Sequence, residues 1–215
     1  LIRTQTGEVR VHGQVVKGLD HRVGMVMQNP DLMLFNSTVE AEITFGIRHG
    51  SAQGRGGADW RGLLQQMGLR GMEERFPLAL SQGQRVRVAI AALLACQPEI
   101  MLLDEPTTGQ DLGHIDDIIG LLQEYTAGGG TVIFCTHDTE VAARYAQRAV
   151  VMTAGGVVAD AAPREVFSNE AVLYSAGLRA PAAMKVSRKL YGGCALCVEE
   201  VVRHVQQTSM GSYAG

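Results

Sequence analysis

Residues 80–111 read L-S-Q-G-Q-R-V-R-V-A-I-A-A-L-L-A-C-Q-P-E-I-M-L-L-D-E-P-T-T-G-Q-D, and this order decides the fold. Residues 100–103 are wholly apolar, with Pro98 before them and Asp104, Glu105 and Pro106 after. Such a run predicts a strand buried on both faces of a parallel sheet. Two carboxylates at the carboxyl end of that strand sit where open α/β sheets bind their ligands. Extended backbone sends neighbouring side chains in opposite directions, so Asp104 and Glu105 are expected to do different jobs. One suits a hydrated Mg²⁺; the other faces a nucleophilic water. The plain alternative is a strand that ends in two solvated acids.

Working outward, Ser81 is a good helix N-cap, and Gly83 lets backbone approach a ligand with no Cβ in the way. A Ser–Gly turn at a helix start offers free N–H groups and the positive dipole end, which suits phosphate. Residues 86–95 continue as a helix that is apolar on most faces. Upstream, residues 8–16 alternate around a glycine and predict a hairpin. Residues 22–28 are β-rich and end at Gln28-Asn29-Pro30-Asp31, a loop signal. Ser37 or Thr38 caps a further helix with Glu40 or Glu42 in its first turn and Val39, Ile43 and Ile47 on one face. The Gly-rich residues 49–58 read as a surface loop, because no G-x-x-x-x-G-K-S/T occurs anywhere in the chain. Helices are expected at 59–67, stopped by Gly68, and at 70–76.

Downstream, residues 112–125 form an amphipathic helix broken by the glycines at 128–130. Residues 131–135, T-V-I-F-C, predict a second buried strand ending at Thr136-His137-Asp138. A helix over 139–146 and a hairpin around Gly155-Gly156 follow. Another helix starts at Pro163, and the tail is helical in places. Residues 197–205 are expected to be amphipathic and 208–215 frayed.

Bulk properties narrow the class. The chain has 215 residues, 46% of them hydrophobic, enough for one sizeable domain with an appended tail. A net charge of −3 gives no general attraction to nucleic acid. No apolar run approaches the roughly 18–20 residues that span a bilayer, and the first residues are not a signal peptide. The four cysteines, Cys96, Cys135, Cys194 and Cys197, lie in or near apolar segments and read as reduced thiols. Cys194-x-x-Cys197 has no second pair or histidine at metal spacing.

Taken together, L-S-Q-G-Q followed by I-M-L-L-D-E-P resembles the signature sequence and Walker B of an ATP-binding cassette (ABC) ATPase. Q-N-P-D…L-F…T-V-E…F-G at 28–46 is similar to energy-coupling factor (ECF) and cobalt-type importers of vitamins or transition metals. P-R-E-V-F at 163–167 and G-L-R-A-P at 177–181 add to that likeness, which covers about residues 1–190. It implies a P-loop NTPase-like α/β core with a mostly parallel sheet over 1–35 and 98–160. A helical subdomain bearing the signature would take 36–97, and a helical tail 161–215. It implies ATP and Mg²⁺ as ligands, with Asp104 and Gln28 on the metal, Glu105 as general base and His137 as the H-loop switch. Ser81, Gln82, Gly83 and Gln84 of the signature and Asp111 of the D-loop would address a nucleotide held by an opposite ATPase domain. Gln28 would also touch the attacking water.

The implied partners are a second ABC ATPase domain and transmembrane transporter subunits, with no nucleic acid, at the cytoplasmic face of the membrane. Two departures stand out: Gln82 replaces the family's usual glycine, and Gln110 its usual leucine. The Walker A segment is missing and is expected to precede Leu1 in a longer parent, so the chain by itself should bind ATP poorly. The alternative class is a soluble ABC ATPase of DNA repair or translation, but neither long coiled coils nor a charged linker is visible. A non-catalytic partner half is argued against by the presence of Glu105 and His137.

Overall fold

The computed structural model describes residues 5–49 and 59–211. The chain divides into two compact units, Leu1–Cys135 and Thr136–Gly215. In the first, β1 (Val9–Val11) and β2 (Gln14–Val16) form the expected antiparallel hairpin. His12 and Gly13 turn it at φ 50° and 76°, the left-handed pair that a tight two-residue turn requires.

β3 (Val23–Val26), β4 (Ile100–Asp104) and β5 (Thr131–Cys135) make a parallel sheet with β4 at its centre. Met101 and Leu103 are fully buried, while Ile100 and Leu102 on the other face are half-buried. The expectation of burial on both faces of β4 is therefore met on one. β5 departs further: its side chains alternate between exposed and half-buried, and Ile133 is 54% exposed. That alternation belongs to an edge strand covered on one face, not to a buried strand.

The first unit's helices start where the side-chain chemistry allows. Of Ser37 and Thr38, Thr38 caps α1 (Val39–His49): its Oγ1 accepts the Ala41 N–H at 3.1 Å. Val39 and Ile43 are fully buried and Ile47 half-buried. Asp59 caps α2 (Trp60–Gln66) by accepting the Gly62 N–H at 3.0 Å, and Gly68 at φ 61° ends it. Residues 70–76 form turns, not the expected helix. Their carbonyls are used elsewhere: those of Glu73 and Arg75 accept the first N–H groups of α1, both at 3.0 Å. Gly71, at φ 82°, turns the chain to make this possible.

A 3₁₀ turn at Pro77–Ala79 leads into α3 (Gln82–Cys96), the most deeply buried helix of this unit, with Val88, Ile90, Ala91 and Ala95 inaccessible. α4 (Leu112–Ala127) then ends at Gly128, as the glycine run predicts.

The second unit opens with α5 (Thr139–Tyr145), capped by Asp138 on the N–H groups of Glu140 and Val141. β6 (Ala149–Thr153) and β7 (Gly156–Ala161) form the expected hairpin. Its left-handed pair is Ala154-Gly155, one residue earlier than Gly155-Gly156. α6 (Pro163–Ser168), α7 (Glu170–Ser175) and α8 (Ala182–Tyr191) follow. Ala143, Phe167, Leu173 and Met184 make the core.

α9 (Val198–Gly211) is helical through residues expected to fray. Only Val201 among its valines is buried, against Ala183 of α8 and Ala195. The predicted amphipathic character thus rests on a narrow stripe. All four cysteines are free thiols, as read from the sequence. No described helix is long and apolar enough to cross a membrane. The Gly-rich residues 50–58 and the last four residues lie outside the described parts.

The close approach of α1 to α3 is set by Gly46. A Cβ there would stand 2.5 Å from the Cys96 Sγ and 2.8 Å from the Ala92 carbonyl oxygen. The thiol can move but the helix backbone cannot. Gly46→Ala is expected to destabilise the chain by about 1–3 kcal/mol, read as a lower urea midpoint at unchanged slope.

Candidate functional site

The parallel register controls where the acids emerge. Val26 pairs with Leu103 and Leu103 with Phe134, so these three residues lie level, and β4 and β5 run one residue past β3. Asp104, the last residue of β4, lies opposite Cys135. Gln28 leaves the same edge two residues past Val26 and is exposed. Glu105 does not continue the strand: its φ is 51°, and its N–H is tied to the Cys135 carbonyl at 3.0 Å. The alternation of an extended segment therefore stops at Asp104, and the backbone turns left-handed at Glu105.

A left-handed non-glycine residue costs on the order of 1 kcal/mol or more and tends to mark a functional position. The Thr108 hydroxyl lies 3.3 Å from the Glu105 Oε2, and the Thr108 N–H bonds the Glu105 carbonyl at 3.2 Å.

The other half of the candidate site is the start of α3. Ser81 Oγ accepts the Gln84 N–H at 3.3 Å and Gln84 Oε1 accepts the Ser81 N–H at 3.0 Å, a reciprocal capping box. Sequence reading assigned Ser81 and Gln84 to a nucleotide; here each also holds the other. The cap leaves the Gln82 and Gly83 N–H groups to point out of the helix end. Gly83 is needed for closeness, but to this chain's own backbone: a Cβ there would meet the Gly109 carbonyl and the Gln110 side chain at 3.1 Å. The signature and the loop after Glu105 are thus neighbours.

Several residues that the sequence reading passed over support this arrangement. Arg85 Nε lies 2.7 Å from Asp31 Oδ1, although its N–H is not aligned on that oxygen. Its Nη1 donates to the carbonyls of Leu80 (2.8 Å) and Leu78 (3.3 Å). One guanidinium thereby joins the turn after Gln28, the Pro77–Ala79 turn and the signature helix. A partly exposed ion pair is worth about 1 kcal/mol or less, so its contribution is geometric. Arg87 is buried and donates to the Met67 carbonyl at 2.7 Å and more weakly to that of Gly83.

Glu42 is buried too, and its Oε2 accepts the N–H groups of Phe35 and Asn36 at 3.0 and 2.7 Å. The sequence reading placed Glu42 in the first turn of this helix but assigned it no role of this kind. The signal was available: Glu42 falls on the same face as Val39 and Ile43. Around these anchors Leu32, Phe35, Phe45, Phe76 and Leu78 are exposed, with Phe35 and Phe45 edge-to-face at 4.9 Å.

Asp111 is the N-cap of α4, accepting the His114 N–H at 3.0 Å and pairing with its Nδ1 at 2.7 Å. His137 is the second residue of the second unit, two residues along the chain from Cys135, and is exposed. Among the described residues no cluster of three or more His, Cys, Asp or Glu side chains is arranged to hold a metal. The oxygen donors at the sheet edge, Asp104 and Gln28, nevertheless match the hard, partly hydrated coordination that Mg²⁺ takes from one or two protein groups plus phosphates and water.

Open parallel sheets bind phosphate compounds at their carboxyl edge, which puts the chain among the α/β nucleotide-binding proteins. The family model described as "ABC transporter" matches residues 1–108. The chain belongs to this family.

It is 36% identical over 198 residues to the energy-coupling factor transporter ATP-binding protein EcfA of Methanothermobacter thermautotrophicus, covering 88% of the chain and 64% of EcfA. Likeness to EcfA of Methanocaldococcus jannaschii is also 36%, over 84% of the chain and 68% of that protein. Among solved structures, CbiO1 of Clostridium perfringens, described as part of the ABC transporter complex cbiONQ, superposes with a TM-score of 0.65 at 27% identity. That match covers 88% of the chain and 75% of CbiO1, so the fold is that of an ABC ATPase. Other relatives, from Methanosarcina acetivorans, are much longer, and the chain spans about a third of them (32% and 33%).

The backbone N–H and then the side chain of His114 hold the Asp111 carboxyl below the usual carboxylate range. A depressed folded value means that the stabilisation is present above the unfolded value, about 3.9. It is lost as pH falls through the folded value. The stability difference between the wild type and Asp111→Asn should therefore shrink below about pH 4. His114→Ala should raise the Asp111 pKa in a carbon-detected NMR titration.

Proposed function

We propose that the chain is the ATP-binding and ATP-hydrolysing part of an importer of the ECF type, energising uptake of a vitamin or a transition-metal ion. The observation that carries this reading is the pair Asp104–Glu105 at the carboxyl end of β4, with Glu105 held left-handed. Identity to EcfA proteins and the likeness to CbiO1 support the importer class.

In this reading Asp104 and the Gln28 amide oxygen hold Mg²⁺, which when bound neutralises charge on the phosphates of ATP. Glu105 takes the proton of the attacking water, the standard task of a positioned carboxylate. His137 donates a hydrogen bond to the phosphate. Gln82 and Gly83 present N–H groups to a nucleotide held by a second ABC ATPase domain, with Ser81 and Gln84 fixing the turn. Asp111 anchors the D-loop against that domain. The working division is an ATPase core over 1–35 and 98–160, a signature-bearing helical subdomain over 36–97 and a helical tail over 161–215.

The exposed side chains of Leu32, Phe35 and Phe45 suit a hydrophobic membrane-subunit contact at the cytoplasmic face. Glu42 stiffens the Phe35 loop, and Arg85 connects it to the signature helix. Movement at that contact is thereby passed to the nucleotide-facing turn.

Glu105→Gln in the full-length protein is expected to lower ATP hydrolysis by a factor on the order of 10²–10⁴, the usual worth of a general base. Nucleotide binding, followed by a fluorescent ATP analogue, should persist. An unchanged hydrolysis rate would remove Glu105 from the role.

A further inference from the structure

Between Glu105 and the Asp111 cap the chain makes two overlapping turns, with the Thr108 N–H on the Glu105 carbonyl and the Gln110 N–H on the Thr107 carbonyl, both at 3.2 Å. Thr107 is buried, and Gly109, at φ 76°, turns the chain back. This leaves Gln110 half-buried with its side chain directed at the signature. Its Nε2 donates to the Gly83 carbonyl at 3.1 Å, across 27 residues of sequence. The same carbonyl receives the weaker Arg87 Nε contact at 3.4 Å. The peptide plane that follows Gly83 is thus held from outside the helix, and that plane carries the N–H bonded by Ser81. An aliphatic side chain at this position would have no donor to offer.

We infer that Gln110 is a positioning residue that locks the loop bearing Glu105 to the signature turn, so that the base and the phosphate-facing N–H groups move as one body. The inference rests on the ATPase reading above and adds to it a mechanical link within a single chain. No atom of Gln110 needs to touch the nucleotide; it acts through Gly83. The chemistry of the link is one amide donor on one carbonyl, and only a donor of similar reach can replace it.

The test compares Gln110→Glu, which sets an acceptor against the Gly83 carbonyl at nearly unchanged size, with Gln110→Lys, which restores a donor. In the full-length protein Gln110→Glu is expected to lower kcat for ATP roughly tenfold, the scale of one lost hydrogen bond plus a repulsive oxygen pair, with KM within about twofold. Gln110→Lys should recover most of the loss. In the nucleotide-free protein, amide hydrogen exchange at Gln84, whose N–H rests on the Ser81 hydroxyl, should quicken in Gln110→Glu and return toward wild type in Gln110→Lys.

Exchange that is identical in all three proteins overturns the link, whatever the hydrolysis rates. So does a loss of kcat shared equally by Glu and Lys. Glu105→Gln, assayed alongside, separates the two levels: wild-type hydrolysis in that variant would sink the ATPase reading, while the exchange data still decide on Gln110.

Discussion

The register of three parallel strands is the constraint from which the rest follows. β4 pairs with β3 and β5 in a register that brings Val26, Leu103 and Phe134 to the same height. A shift of one residue would exchange buried Met101 and Leu103 for the half-buried face, and would carry Asp104 into the sheet or away from its edge. The buried side chains thus fix the position of the acid by a packing requirement that takes no account of chemistry. The left-handed turn at Glu105 is then the first free choice that the backbone makes after the core releases it.

The second constraint is that the signature turn is oriented by a set of short polar links. Ser81 and Gln84 close the helix start, Arg85 ties it to Asp31 and to two carbonyls, and Gln110 holds Gly83. None of these contacts is worth more than a kcal/mol or two. Together they specify an orientation rather than a stability. Three of these six links end on backbone carbonyls, and those three are donated by the long side chains of Arg85 and Gln110.

How much of this was legible in the sequence divides along sequence distance. Ser81 and Thr38 were readable as helix caps because a cap acts within three residues, while the caps Asp59, Asp111 and Asp138 went unread. β4 was readable from its apolar run, and both hairpins from their glycines. The acid pair could be placed at the strand's end, but Glu105's left-handed backbone had no local signal, since glutamate carries none of the preference that glycine or asparagine has. β5 looked like a buried strand because its composition is apolar; its position at the edge is a property of the sheet, not of T-V-I-F-C. Residues 70–76 looked helical by content, yet their carbonyls serve α1. The links of Arg85 to Asp31 and of Gln110 to Gly83 join distant segments, and one sequence without relatives gives no means of pairing them.

The strained backbone at Glu105 has an evolutionary consequence. Glycine would relax there, since φ 51° is open to it without penalty, and a population screened only for resistance to heat would be expected to drift that way. If Glu105 is the general base proposed above, its left-handed backbone trades folding stability for reactivity. Stabilising this domain is therefore better attempted at the exposed edge of β5 or along the outer face of α9 than near the acids.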